Sequence, residues 1–136
     1  MEQDKIKHLE FIQNIINRMN TNSFQIKGWM ITIVSALLAL YASSNNYVYV
    51  FVAIVPTFIF WFIDSYYLRQ ERRFRGLYED VIKPEKNITA FSMDVTNYKS
   101  GRYKYCRCLF STTTAILYLL IICSLILGGL FLVNVL

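Results

Sequence analysis

The chain has 136 residues, of which 55% are hydrophobic and only 17% are charged. Soluble globular proteins average roughly 45–50% apolar and about 25% charged residues, so this composition excludes a disordered chain and argues against a soluble enzyme. Three cysteines are too few, and odd in number, for a disulfide scaffold. The formal net charge of +5 would suit a nucleic-acid partner, but the positions of the basic residues explain it differently.

The N-terminal segment, residues 1–21, has the periodicity of an amphipathic helix, since apolar residues recur at spacings of three and four. Such a helix can lie on the bilayer surface, pack on its own helix bundle, or act as a mobile element that gates a pore. The pattern alone leaves these alternatives open. Thr21, Asn22 and Ser23 are candidate N-caps for a following helix, so we expect a hinge there. The gating face would consist of Ile6, Leu9, Ile12, Ile16 and Met19.

Residues 22–64 contain two apolar runs, at 29–42 and 47–63. A transmembrane helix needs about 20 mainly apolar residues, with a range of roughly 17–25, and the first run reaches this length only if Lys27 extends along apolar surface to the headgroups. The segment is predicted to be a transmembrane hairpin that turns at the polar residues 43–46. Pro56 removes a backbone donor and is expected to kink the second span.

Two residues of opposite charge flank this hairpin. Lys27 and Asp64 lie at nearly equal distances in sequence from the centre of the turn, on opposite arms. They should therefore lie at similar depth, at the edge of the membrane. We expect an ion pair that locks the hairpin, and the alternative is that each side chain extends to the headgroups independently.

Residues 65–108 are predicted to form a helix extension beyond the second span, followed by a short loop. The extension carries an apolar stripe at helical spacing, including Phe74, Leu77 and Val81, and such a stripe has to pack against another surface. A second copy of the chain is the simplest candidate. We therefore expect a homo-oligomer, for which a tetramer is one option and the number of copies is left open.

Residues 109–136 are predicted to form a third transmembrane helix, because the run is almost entirely apolar and longer than the bilayer requires. Its first turns carry hydroxyl side chains. Hydroxyl groups in a span can bond back to the preceding turn, hold helices together, or line a water path. The residues that would line a pore are Ser111, Thr114 and Tyr118.

The basic residues indicate the orientation of the chain in the membrane. Four of the 14 Lys and Arg residues precede the first span, the others lie between Arg69 and Arg107, and the turn at 43–46 has none. One topology places all of them on one side, which the positive-inside rule identifies as the cytoplasm. We expect a multi-pass protein of the bacterial inner membrane with a cytoplasmic N-terminus, cytoplasmic residues 65–108 and an external C-terminus. This topology explains the basic charge without a nucleic-acid partner.

No catalytic, metal or cofactor site is predicted. Cys106 and Cys108 alone do not make a metal site, and the single histidine, His8, is far away in sequence. The sequence has no glycine-rich phosphate loop, nucleophile elbow or HExxH motif. The chain is therefore expected not to be an enzyme.

Two stretches carry a family resemblance: Arg18–Met19 with residues 22–29 (NSFQIKGW), and residues 64–75 (DSYYLRQERRFR) with Leu77–Tyr78. Read together, they resemble a group of small bacterial transmembrane effectors found beside nucleotidyltransferases in anti-phage systems of the CBASS and Hailong types. The resemblance implies a multimeric effector that conducts ions through the bilayer and is controlled by a nucleotide or oligonucleotide made by the partner enzyme. It also implies an N-terminal helix near the pore. Contacts with such a ligand or partner would come from Lys7, Arg18, Arg72, Arg73 and Arg75.

Together these observations predict an all-α integral membrane protein with three transmembrane helices and a cytoplasmic N-terminal amphipathic helix. The expected function is a gated, ion-conducting homo-oligomer that depolarises the inner membrane during phage infection. The alternative is a non-conducting, membrane-tethered subunit whose charged helix at 69–80 docks a cytosolic partner.

Overall fold

The computed structural model describes residues 2–135, which are 81% helical and contain no strand. Three helices are long and apolar enough to cross a membrane. The predicted all-α class and the three candidate spans are thereby confirmed. Met1 and Leu136, the outer ends of the first and last predicted segments, lie outside the described residues.

The elements follow one another with few gaps. The helices are α1 (Glu2–Ser44), α2 (Val48–Val52), α3 (Ile54–Ile82), α4 (Tyr105–Leu109) and α5 (Thr112–Val135), with a short 3₁₀ helix at Gly101–Tyr103 before α4. Residues 83–100 form the connecting loop.

One continuous helix, α1, replaces the expected separate amphipathic helix and hinge. It has 43 residues, about 65 Å at 1.5 Å per residue, and the structure does not show the predicted N-terminal amphipathic helix as an element of its own. Two of the candidate capping residues make other hydrogen bonds. The Thr21 hydroxyl donates back to the Asn17 carbonyl at 3.0 Å, and the Ser23 hydroxyl donates to Asp64 on α3. With no proline in the segment, nothing in the backbone stops the helix there.

The turn after α1 depends on Asn45, whose φ of 56° lies in the left-handed region. Its N–H donates to the Tyr41 carbonyl at 2.8 Å, an arrangement typical of helix ends. The chain then returns through α2 and α3 along α1. A break at Ala53 separates α2 from α3 just before Pro56, where the proline ring disfavours a regular preceding turn.

The three long helices are arranged with α3 between α1 and α5. Within the described residues α3 packs on both neighbours, whereas α1 and α5 make no close backbone contact. We call residues 28–63 and 112–135 the apolar half, and residues 2–23 and 65–111 the polar half. The core of the apolar half is built from Met30, Val34, Val50, Ala53, Trp61, Tyr118, Ile122 and Leu125.

A second core lies in the polar half, where Ile12 and Ile16 of α1 pack against Leu77 and Val81 of α3. The stripe on the helix extension is thus covered by α1 and by apolar residues of the loop. A second copy of the chain is not needed to bury it, so the sequence argument for a homo-oligomer loses this support.

Glycines permit two close contacts between elements. A Cβ at Gly129 would lie 2.6 Å from Cζ of Phe51, so α5 can approach the α2 segment only without a side chain there. A Cβ at Gly76 would lie 2.9 Å from Cζ of Tyr103. By contrast, a Cβ at Gly128 would meet nothing within 4 Å.

Candidate functional site

The clearest candidate site is a buried carboxylate at the boundary between the two halves. Asp64 of α3 is fully buried, with 0% of its surface exposed. Its Oδ1 accepts a hydrogen bond from the Ser23 hydroxyl, and its Oδ2 lies 2.6 Å from Lys27 Nζ and accepts a bond of 3.0 Å from the Tyr118 hydroxyl. Every carboxylate oxygen therefore has a donor. We call Ser23, Lys27, Asp64 and Tyr118 the interhelical cluster.

The cationic part of the cluster comes from α1. Ser23 and Lys27 lie four residues apart and share a helix face, and the Lys27 ammonium also donates to the Ser23 hydroxyl at 2.8 Å. The Lys27 side chain keeps 23% of its surface exposed. The structure thus brings the two predicted members of the hairpin ion pair together.

Sequence reasoning missed the other two members. Ser23 was assigned to a helix cap, and Tyr118 was assigned to pore lining. Tyr118 is 0% exposed and stacks on the indole of Trp61, with ring centroids 6.5 Å apart. A signal existed for Ser23, since it precedes Lys27 by one helical turn, but no local pattern sets the register of α5 against α3.

Further hydrogen bonds fix the entry of α5 beside the cluster. The Trp61 indole N–H donates to the Leu109 carbonyl at 3.0 Å, and the Thr114 hydroxyl donates to the Cys108 carbonyl at 2.7 Å. Thr114 is 1% exposed. Thr114 and Tyr118 therefore face the inside of the helix bundle of this chain, while Ser111 contacts Arg72. Pore lining by these residues stays a prediction about an assembled, open state.

The cluster can act as an electrostatic lock. Ionisable side chains within spans are costly, are paired, and are commonly functional. Here one carboxylate joins three long helices, so separating any of them leaves charge or a buried donor unpaired. Each lost hydrogen bond to a charged group costs about 1.5–3 kcal/mol.

The five predicted gating residues divide by burial. Ile12 and Ile16 are 0% and 2% exposed and lie in the second core. Leu9 and Met19 are half-buried, and Ile6 is exposed. The amphipathic stripe therefore holds α1 against α3 in this structure.

The five predicted ligand-contact residues do not converge on one place. Lys7 and Arg18 lie exposed on α1. On α3, Arg73 donates two hydrogen bonds to the Val95 carbonyl, from Nε at 3.2 Å and from Nη2 at 2.8 Å. Arg75 pairs with Glu71 at 2.7 Å. The fifth, Arg72, donates to the Arg102 carbonyl at 3.0 Å.

His8 is a further residue whose role the sequence did not reveal. It is 3% exposed, and its Nε2 donates to the Ser92 carbonyl at 2.7 Å, which attaches the loop to α1. The adjacent Phe91 has a φ of 61°, a conformation that costs a bulky residue about 1–2 kcal/mol. Beside them is a cavity of about 440 Å³ lined in part by Lys5 and Lys86.

The polar half contains a second buried acid. Asp80 Oδ2 accepts hydrogen bonds from the Tyr98 hydroxyl at 2.6 Å and from Lys86 at 3.3 Å. Burial, followed by the bond to Asp80, raises the pKa of the Tyr98 phenol well above its usual range. The pair therefore stays a neutral phenol on a carboxylate, and it fastens the loop to α3.

Within residues 2–135 no group of three His, Cys, Asp or Glu side chains could hold a metal ion. Cys106 is exposed and Cys108 is buried. Burial raises the pKa of the Cys108 thiol, although Arg72 and Arg69 act in the opposite direction.

Comparison with known proteins finds no match: no family model, no curated protein and no solved structure is similar to this chain.

Proposed function

We propose that this chain is a homo-oligomeric membrane effector that forms a gated, ion-conducting pore, depolarises the bacterial inner membrane during phage infection, and responds to a nucleotide or oligonucleotide signal. The observation that carries the proposal is the interhelical cluster, in which a fully buried Asp64 joins three helices long enough to span a bilayer. A buried charge within a bundle of membrane-spanning helices is costly. A contact between helices that must break and re-form during gating would account for its presence.

Gating is proposed as a population shift between two packings of the helices. In the closed state α1 stays bound to α3 through Ile12 and Ile16 near its N-terminus and through Lys27 near its middle. In the open state α1 moves as a unit, and the hydroxyls of Ser111, Thr114 and Tyr118 become available to a water path. A ligand drives this change only by binding one packing more tightly than the other.

Orientation and assembly are part of the proposal. The positive-inside rule favours a cytoplasmic polar half and an external C-terminus. Large apolar side chains stay exposed on the outer helices, for example Phe24 and Trp29 on α1, at 78% and 62%, and Leu127 and Phe131 on α5, at 68% and 64%. These faces are suited to lipid and to further copies of the chain, and a closed ring of copies is the simplest way to surround a pore.

The test is ion flux from liposomes that contain the purified full-length chain. A double variant, Ile12→Ala with Ile16→Ala, loosens α1 from α3. Ile6→Ala is the matched control because Ile6, although part of the predicted gating face, is 52% exposed and outside the second core. We expect the double variant to raise basal flux several-fold over the wild type and the control to leave it unchanged. If none of the three conducts with insertion and oligomerisation verified and nucleotides supplied, the pore is ruled out.

The second candidate is a membrane-tethered interaction subunit that conducts no ions. This candidate is favoured by the packing of the loop on α3, which gives the polar half an ordered surface. That surface carries exposed ion pairs such as Arg102–Glu79, 3.0 Å apart. Absence of flux, together with retained binding of a cytosolic partner, would support this function. Flux that responds to the Ile12 and Ile16 changes would oppose it.

A further inference from the structure

Three guanidinium groups surround one cavity at the boundary between the two halves. The cavity has a volume of about 530 Å³ and is lined by Arg72, Arg102, Arg107 and Phe110. Arg72 reaches it from α3, and the others come from the segment that leads into α5. No local sequence pattern marks Arg102 or Arg107, because this site depends on how the segment folds back on α3.

The cavity is cationic, and one of its three arginines has an acidic partner within residues 2–135. None of its lining residues is acidic, and neither Arg72 nor Arg107 forms an ion pair within residues 2–135. Only Arg102 has an acidic partner, Glu79 at 3.0 Å. Like charges held together repel each other, so an anion in the cavity would be bound favourably.

The guanidinium groups of Arg72 and Arg102 are already oriented. Arg72 donates to the Arg102 carbonyl at 3.0 Å and to the Ser111 hydroxyl at 3.4 Å. Arg102 donates to the Tyr103 hydroxyl at 2.9 Å and lies over the Tyr103 ring, 5.0 Å from its centroid. Side chains fixed in this way lose less entropy when they bind a ligand.

The position of the cavity suits an anion at the level of lipid headgroups. Phe110 is 68% exposed and touches the edge of Trp61, with centroids 6.1 Å apart. The apolar helix α5 begins just beyond it, at Thr112. Arginines next to an exposed aromatic ring at the start of a span match the level of lipid headgroups. The positive end of the α5 dipole also favours an anion there.

We propose that Arg72, Arg102 and Arg107 form a binding site for a phosphoryl group at the membrane surface. Planar guanidinium groups bind phosphate oxygens in pairs of hydrogen bonds, and Phe110 offers apolar surface beside them. The phosphoryl group can belong to an anionic phospholipid or to a soluble phosphate compound. The site does not depend on pore formation.

The experiment compares Arg107→Gln with Lys104→Gln. Arg107 is exposed, and its side chain makes no hydrogen bond or ion pair within residues 2–135. We therefore expect the change to leave the packing intact, and thermal unfolding checks this. Lys104 is exposed on the same segment and does not line the cavity, so it controls for loss of one positive charge. Both variants are made in the full-length chain.

One arm measures cardiolipin bound to the protein in phosphatidylcholine nanodiscs by native mass spectrometry. The other measures ATP binding to the protein in nanodiscs of phosphatidylcholine alone. We expect R107Q to weaken cardiolipin binding about tenfold or more, the effect of losing a hydrogen bond between charged groups. We expect K104Q to weaken it no more than about fivefold, the general effect of one basic residue near an anionic surface. An R107Q effect on ATP alone would assign the site to a soluble phosphate. If neither probe responds to R107Q, or K104Q acts equally, the proposal is wrong.

Discussion

Replacing Lys27 with methionine removes the cation from a carboxylate that cannot reach water. Asp64 is fully buried, and after the change only the hydroxyls of Ser23 and Tyr118 remain as its donors. Removing one partner of a buried ion pair costs about 3–5 kcal/mol. Because two donors remain, we expect the lower end of that range, about 3 kcal/mol.

The opposite change, Asp64→Asn, should be milder. The Lys27 side chain is 23% exposed and can extend toward the headgroups when its partner is gone, and the amide oxygen still accepts a hydrogen bond. We expect a loss of about 1–2 kcal/mol. The double variant K27M/D64N should be more stable than K27M alone, because it leaves no unpaired charge.

The assay is equilibrium unfolding in mixed detergent micelles, with helix content followed by circular dichroism. Lys104→Met is the control, since it removes an exposed lysine outside the cluster. The two single variants and the double variant give an interaction energy for the pair. If K27M costs no more than K104M, or if the losses from K27M and D64N simply add, the cluster does not hold the helices together as argued.

Three other expected results follow from the packing. Gly129→Ala should lower the free energy of unfolding by about 1–3 kcal/mol, because its Cβ would lie 2.6 Å from a packed ring, whereas Gly128→Ala should be neutral or stabilising in the same unfolding assay. Ile12→Ala should cost about 2–5 kcal/mol, since this side chain is 0% exposed, and protease resistance of the polar half measures the loss. Cys106, which is exposed, should react with a maleimide at pH 7–8. Cys108 should react more slowly than a free cysteine, because burial raises the pKa of its thiol and leaves less thiolate at that pH. The Cys108 rate should rise as pH increases, and equal rates for the two thiols would contradict its burial.

The apolar runs along the sequence were enough to predict the three apolar helices. The equal distances of Lys27 and Asp64 from the turn between them were enough to predict that the two residues lie close together. Both inferences use quantities that the chain carries locally: hydropathy, and distance along two antiparallel arms. The proximity of Tyr118 to Asp64 required the register of α5 against α3, which depends on packing at places such as Gly129 and Phe51. No periodicity in the sequence encodes that register.

The boundary after residue 21 was predicted from capping residues, and the structure uses their side chains differently. An N-cap forms only where a helix begins. Here α1 continues through this point because it packs on α3 to both sides of it, against Leu77 in the polar half and in the core that contains Trp61 in the apolar half. Tertiary contact therefore outweighs the local preference of Thr21 and Ser23 for helix ends. The same contact covers the stripe that had suggested a second copy of the chain.

Because α1 is unbroken, it behaves mechanically as a stiff rod between the loop and the membrane. His8, which binds the loop, and Lys27, which binds Asp64, are separated by about 28 Å along its axis. A tilt of about 5° over that length moves one end by about 2.5 Å relative to the other. Such a movement would take the Lys27 ammonium out of hydrogen-bonding range of Asp64. A small displacement where the loop contacts the first turns of α1 can thus break the Lys27–Asp64 contact inside the bundle.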